Sequence, residues 1–336
     1  MAFWDNWFGR KKTKEGPYAA KAKAGAKAAK PKPLEEQAAI TAGRRKGKTN
    51  IEKRFKLLNR LGQGSMSKVW RATDNESGKT VVVKVLDQEK LVALRKRFIG
   101  MKRPTEGEVA VQLNHPNIVK CYEFGLTSKG EEYLAMEFVD GVGFNFLVET
   151  RAKQLVGREV YYLEQIGEAV GYFHRKGFIH RDICPRNVMV DKDDVVKLID
   201  FGLAVPDTPE FRKPGNRTGT ANYMAPELLR RQPTDIRIDI YSFGVTVFET
   251  FCGKLPMEML TVSYDTMLKH LNAPARDPRE LRPDLSDETV RVMLKGIARR
   301  PDDRYQNMNQ FLSELRNLRG DKAEVRPAEH PGVEHE

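Results

Sequence analysis

The sequence is poor in cysteine and has no long apolar run. Only three cysteines, Cys121, Cys184 and Cys252, occur in 336 residues, too few and too scattered for a disulfide framework or a four-ligand zinc site. No apolar stretch approaches the ~18 residues that a membrane-spanning helix needs. The best candidate, Val81-Val82-Val83, stops at Lys84. No secretory hydrophobic region precedes the cysteines, so a reducing, cytoplasmic setting is the expectation. There is no internal repeat either. Hydrophobic residues make up 40% and charged residues 31% of the chain, the balance of a globular protein whose length suits about two domains.

Acidic residues are scarce at the N-terminus, and this explains most of the net charge of +12. Residues 1–50 hold thirteen Lys/Arg against four Asp/Glu, a balance of +9, so residues 51–336 carry only +3. This first segment is rich in Ala, Lys, Pro and Gly without apolar periodicity, and is expected to be a basic, largely disordered tail. The basicity therefore calls for no nucleic-acid-binding fold, and no specific nucleic-acid partner is expected. Within the tail, Phe3, Trp4, Trp7 and Phe8 fall on one face of a short helix and are followed by Arg10, Lys11, Lys12 and Lys14. Rings beside cations suit peripheral contact with an anionic membrane surface, each cation adding ~1 kcal/mol. The same rings also suit docking on a protein surface.

The compact part is expected over residues 51–318, followed by a polar tail, 319–336, with no further domain. Phe55 to Leu61, Val69 to Thr73 and Val81 to Leu86 read as strands, separated by Gly-Gln-Gly and Glu-Ser-Gly turn signals. From about residue 146 the period becomes helical. Val160, Leu163, Ile166, Val170 and Phe173 share one face, as do Met308, Leu312, Leu315 and Leu318. This order predicts an α+β fold of two lobes, a small β-rich one over about 51–140 and a larger, mainly helical one over about 141–318. A ligand is expected in the cleft between them.

Three motifs carry chemistry. The first, Leu61-Gly62-Gln63-Gly64-Ser65-Met66-Ser67-Lys68-Val69, joins two predicted strands, and its glycines let backbone N–H groups approach phosphate oxygens. Alone it fits a ligand-free hairpin as well. The second is Lys84, a cation in an otherwise apolar strand that must snorkel or meet an anion. The third is His180-Arg181-Asp182-Ile183-Cys184-Pro185-Arg186-Asn187 followed by Asp200-Phe201-Gly202. It supplies hard oxygen ligands of the kind Mg²⁺ takes, and one further carboxylate to orient a hydroxyl.

Read together, these residues resemble the protein-kinase superfamily, and within it the bacterial serine/threonine kinases of eukaryotic type. Ala225-Pro226-Glu227, Asp239 and Arg304, the expected partner of Glu227, extend the match over about residues 55–316. The resemblance implies a bilobal kinase fold and transfer of the γ-phosphate of ATP to protein hydroxyls. Asp182 would then orient the acceptor, Lys84 would hold the α- and β-phosphates, and Asn187 and Asp200 would hold Mg²⁺. Glu106 is the implied partner of Lys84, although Pro104, Gly107 and Glu108 crowd its helix. The nucleotide would lie under residues 61–69, with the backbone of Glu137 and Val139 meeting adenine and Val69, Val82 and Met189 enclosing the ring.

Two departures stand out. Ser67 replaces the third glycine of the loop, and Cys184 stands where serine/threonine kinases carry a lysine. Arg186, two residues on, is the candidate to replace that lysine at the transition state. Gly219-Thr220 resembles the serine/threonine class, whose threonine contacts the catalytic Asp. A pseudokinase scaffold and a small-molecule phosphotransferase are the alternatives; the second has no use for a peptide-docking segment such as 219–227.

Overall fold

The computed structural model describes residues 43–63, 67–214, 217–257 and 273–320. All of them belong to one of the chain's two units, Ala39–Glu336; the other unit, Met1–Ala38, lies outside the described residues. Six strands form the first sheet: β1 (Arg44–Thr49), β2 (Phe55–Gln63), β3 (Ser67–Asp74), β4 (Thr80–Leu86), β5 (Cys121–Thr127) and β6 (Glu132–Glu137). Their order is β1-β5-β6-β4-β3-β2. The three expected strands appear within two residues of their expected ends. In β4 the period of two sorts side chains by face. Val81, Val83 and Val85 join Phe55, Ala72, Tyr133 and Ala135 in a buried cluster, which leaves Val82 and Lys84 on the opposite face. Val69 is paired in register with Lys84 and so shares that face.

The domain start at Ile51, with residues 1–50 as tail, needs correction: Arg44–Thr49 is a strand lying parallel to β5. Its side chains are mostly exposed, so no apolar alternation announced it. Backbone pairing and a few polar contacts hold it instead. The Thr49 and Tyr133 hydroxyls lie 3.1 Å apart, Ser128 N donates to Thr49 O at 2.8 Å, and Arg45 pairs with Glu76 and Glu123. The rest of the expected N-terminal tail, and residues 321–336 of the polar tail, lie outside the described residues.

The helices are α1 (Ile51–Arg54), α2 (Gln88–Arg95), α3 (Glu106–Ala110), α4 (Phe144–Glu149), α5 (Glu159–Arg175), α6 (Pro226–Leu229), α7 (Arg237–Cys252), α8 (Asp287–Gly296) and α9 (Met308–Asn317). Among the described residues, two-thirds of the helices follow residue 140, as the helical periodicity predicts. The expected stripe on α5 is buried from Leu163 to Phe173, while α7 is buried almost all round and forms the centre of this lobe. Small strands carry the site: β7 (Gly141–Gly143), β9 (Val188–Asp191) and β10 (Val196–Leu198) form one sheet, and β8 (Phe178–Ile179) pairs with β11 (Val205–Pro206). The expected Glu227–Arg304 pair is present as two parallel bonds of 2.8 Å each, fully buried. Among the described residues no helix is long and apolar enough to cross a membrane.

Candidate active site

Lys84 and Glu106 meet because two elements bring them to one point. Lys84 points from β4 into the cleft, where its Nζ donates to Glu106 Oε1 at 2.6 Å and to Asp200 Oδ2 at 3.1 Å. Burial alone would lower the lysine pKa, but the Asp200 and Glu106 carboxylates outweigh it and hold the ammonium above the ordinary lysine range. Burial would raise Asp200, yet Lys84 and the Gly202 amide keep it below the usual carboxylate range. Burial pushes Glu106 upward against the pull of Lys84. Lys84 thus meets Glu106, its expected partner, and also Asp200.

The residues that crowd Glu106 turn out to set its place. Pro104 precedes the helix rather than entering it, and Thr105 caps α3 in a reciprocal pair with Glu108, satisfying donors at the helix start. Gly107 lets the helix lie on β5. A Cβ there would come within 2.4 Å of the Phe124 ring.

The loop over residues 180–187 is organised by one buried carboxylate. Asp239, near the start of α7, is 0% exposed and accepts bonds from His180 N and Arg181 N at 2.8 Å each, with His174 Nε2 at 2.9 Å. Those bonds hold Arg181 at φ 71°, a left-handed conformation that costs a non-glycine residue ~1 kcal/mol or more. The next residue, Asp182, is aimed into the cleft. Its Oδ1 accepts Thr220 N and Thr220 Oγ1, both at 2.7 Å, and its Oδ2 accepts Asn187 Nδ2 at 2.9 Å. Gly219 makes this approach possible: at φ +127° it passes so close that a Cβ would lie 2.5 Å from Arg181 O. Phe201, 1% exposed, packs against Phe173 and His180, which leaves Asp200 turned toward Lys84.

The departures are placed as follows. Cys184 is 1% exposed, with Sγ 3.7 Å from Thr220 Oγ1, and burial pushes its thiol up to about 12. Arg186 is exposed, near enough to Glu249 to oppose the rise that burial imposes on that carboxyl. It shares with Lys84, Glu106, Asp182, Asn187 and Asp200 the lining of a cleft of about 760 Å³, room for a nucleotide.

Of the residues expected around the base, Val69, Val82 and Met189 are half-buried. Glu137 turns its carboxylate to Lys197 Nζ at 2.9 Å and to Lys120 N at 3.1 Å, and its own N–H donates to Lys120 O at 2.8 Å. Val139 is buried. Gly64, Ser65 and Met66 lie outside the described residues, while Leu61, Gly62 and Gln63 end β2 and Ser67, Lys68 and Val69 begin β3. Two contacts escaped the sequence reading, the grip of Lys197 on Glu137 and that of Arg103 on the backbone after Asp200. Neither residue belongs to a motif.

The protein kinase domain model matches residues 55–314. The chain belongs to this family. It is 34% identical over 272 residues to a probable serine/threonine-protein kinase of Clostridium acetobutylicum, 34% over 281 residues to serine/threonine-protein kinase pkn3 of Myxococcus xanthus, and 33% over 275 residues to PknB of Mycolicibacterium smegmatis. These alignments cover 81%, 80% and 79% of the chain but only 41%, 50% and 43% of the relatives. The kinase chain thus spans about half or less of the length of these curated relatives.

Proposed function

We propose that this chain is an ATP-dependent serine/threonine protein kinase, acting with Mg²⁺ on protein substrates and on itself, in the cytoplasm or at an anionic membrane surface touched by its N-terminal segment. The observation that carries the activity is the pair of bonds from Thr220 to Asp182. They tie the 219–227 segment, against which a peptide would lie, to the carboxylate that receives the proton. A carboxylate offers about four acceptor positions. Thr220 N, Thr220 Oγ1 and Asn187 Nδ2 fill three, which leaves one for a Ser or Thr hydroxyl.

The donor set fits Mg²⁺. The Asn187 amide nitrogen is committed to Asp182, leaving its oxygen for a cation, and the Asp200 side chain is 42% exposed. Two hard oxygens completed by phosphate oxygens are what this ion takes in phosphoryl-transfer sites, where it neutralises phosphate charge. Lys84 binds the α- and β-phosphates, and Arg186 faces charge developing on the transferred group. As the acceptor oxygen bonds to the γ-phosphorus and the bond to the bridging oxygen of ADP breaks, the hydroxyl proton passes to Asp182.

Incubation with γ-labelled ATP, Mg²⁺ and casein tests this. Label is expected on Ser and Thr, and Asp182→Asn or Asp200→Asn should reduce it at least ~100-fold. Wild-type turnover by either variant would refute the assignment.

A further inference from the structure

We propose that Arg103 is a positioning residue of this catalytic centre, one that keeps Asp200 and Glu106 in register by gripping the backbone that follows Asp200. The proposal rests on the kinase reading above.

Gly100, at φ +82°, and Pro104 interrupt the helical path between α2 and α3. A residue before proline is driven toward extended backbone, so Arg103 leaves the helix path and its side chain reaches the backbone of residues 202–204. Its Nε donates to Ala204 O at 3.0 Å, and its Nη2 donates to Gly202 O. The guanidinium lies 5.2 Å from the Phe98 ring centroid, and Phe98 in turn packs against Phe211.

Gly202 makes this grip matter for chemistry. Its carbonyl accepts from Arg103 while its amide donates to Asp200 Oδ1 at 2.8 Å. A single residue therefore separates the guanidinium from the cation-binding carboxylate. On its other side, Arg103 stands three residues before Glu106, the first residue of α3. That helix has only five residues, too few to persist without tertiary support. The planar fork of Arg103 holds both carbonyls at once in a set geometry, which the rotatable ammonium of a lysine on its flexible stem does not impose.

Charge agrees with the geometry. Burial pushes the guanidinium down to about 10, with Glu106 opposing the fall, so it is a cation at neutral pH. Of the carboxylates of the site, Glu106 is the one that acts on the Arg103 cation, while Lys84 pairs with both Glu106 and Asp200. Without Arg103, two carbonyls lose their donor and the 201–204 turn is free to carry the Asp200 carboxylate away from the metal position.

The test compares wild type, Arg103→Met, Arg103→Lys and the packing control Leu312→Ala, a buried site on α9 away from the cleft. Three quantities are read: melting temperature without nucleotide, kcat with its dependence on Mg²⁺ concentration, and Mg²⁺-dependent affinity for ADP by calorimetry. Arg103→Met should lower kcat by about 10- to 100-fold and raise the Mg²⁺ concentration for half-maximal turnover several-fold, leaving KM for the protein substrate near the wild-type value. Arg103→Lys should fall between it and wild type. Leu312→Ala should lower the melting temperature without moving the Mg²⁺ dependence.

An unchanged Mg²⁺ dependence in both Arg103 variants overturns the proposal, as does a Mg²⁺ shift in Leu312→Ala as large as theirs. If Arg103→Met does not fold, Arg103→Lys decides. If wild type turns over no ATP, the kinase reading falls, and the Mg²⁺-dependent ADP affinity of the variants still decides the role of Arg103.

Discussion

At the scale of single residues, the 180–187 loop carries an exposed cation at Arg186 and a buried thiol at Cys184. Cys184 occupies the place of the usual lysine but is buried against Thr220 with its thiol neutral, so it contributes no charge. Arg186 is exposed in the same cleft, and among the described residues no hydrogen bond or ion pair engages its guanidinium. A cation kept available beside the acceptor carboxylate suits a charge that appears only during transfer. Arg186→Ala should therefore lower kcat by about 10- to 100-fold while leaving KM for ATP near the wild-type value, the pattern of a lost transition-state interaction. Adding Cys184→Lys should return part of the loss. Steady-state kinetics of the three proteins decides the matter, and an unaltered kcat in Arg186→Ala would remove Arg186 from the reaction.

At the scale of elements, legibility followed the kind of force that holds each one. Strands β2, β3 and β4 and helix α5 are held by apolar faces, and their periodicity showed them directly. The site motifs were legible because phosphate and metal chemistry demands particular side chains at fixed spacings. Strand β1 was not, because edge pairing uses backbone groups that every sequence possesses, and Arg44-Arg-Lys-Gly-Lys-Thr49 looks like more tail. Helix α3 was placed correctly through Glu106, but Pro104 and Gly107 read as obstacles when one ends the preceding segment and the other admits Phe124. Arg103 grips main-chain atoms about a hundred residues away, which leaves no pattern to read. Shortened chains separate the two parts of the N-terminus. A chain starting at Ile51 should be less stable to urea than one starting at Gly43 by about 2 kcal/mol, the sum of a few net hydrogen bonds. The full chain should sediment with anionic vesicles more than the Gly43 chain does. Equal stabilities would show β1 to be dispensable, and equal sedimentation would remove the membrane contact.

At the scale of the whole molecule, one carboxylate joins the buried helix of the large lobe to the catalytic loop and makes the stability of that union depend on pH. Asp239 would be raised by burial, but His174, His180 and their bonds to it hold its carboxyl below the usual range. A carboxyl depressed in the folded state contributes stability in full above its unfolded value of ~3.9, and loses it as pH falls through the folded value. His180 behaves differently. Burial pushes its imidazole down against Asp239, so unfolding takes up a proton below the unfolded value of ~6.5 and stability falls with pH from there. Two acid limbs are therefore expected, one beginning near neutrality and a second below about pH 4. Asp239→Asn removes the charge that His174 and two loop amides face, and should cost about 3 kcal/mol at neutral pH. Its deficit relative to wild type should shrink below pH ~4, where wild type loses the same interaction, while the limb from His180 persists. Urea unfolding of both proteins across that range measures this, and a deficit that stays constant down to pH ~3 would show that the Asp239 charge does not hold the loop to the lobe.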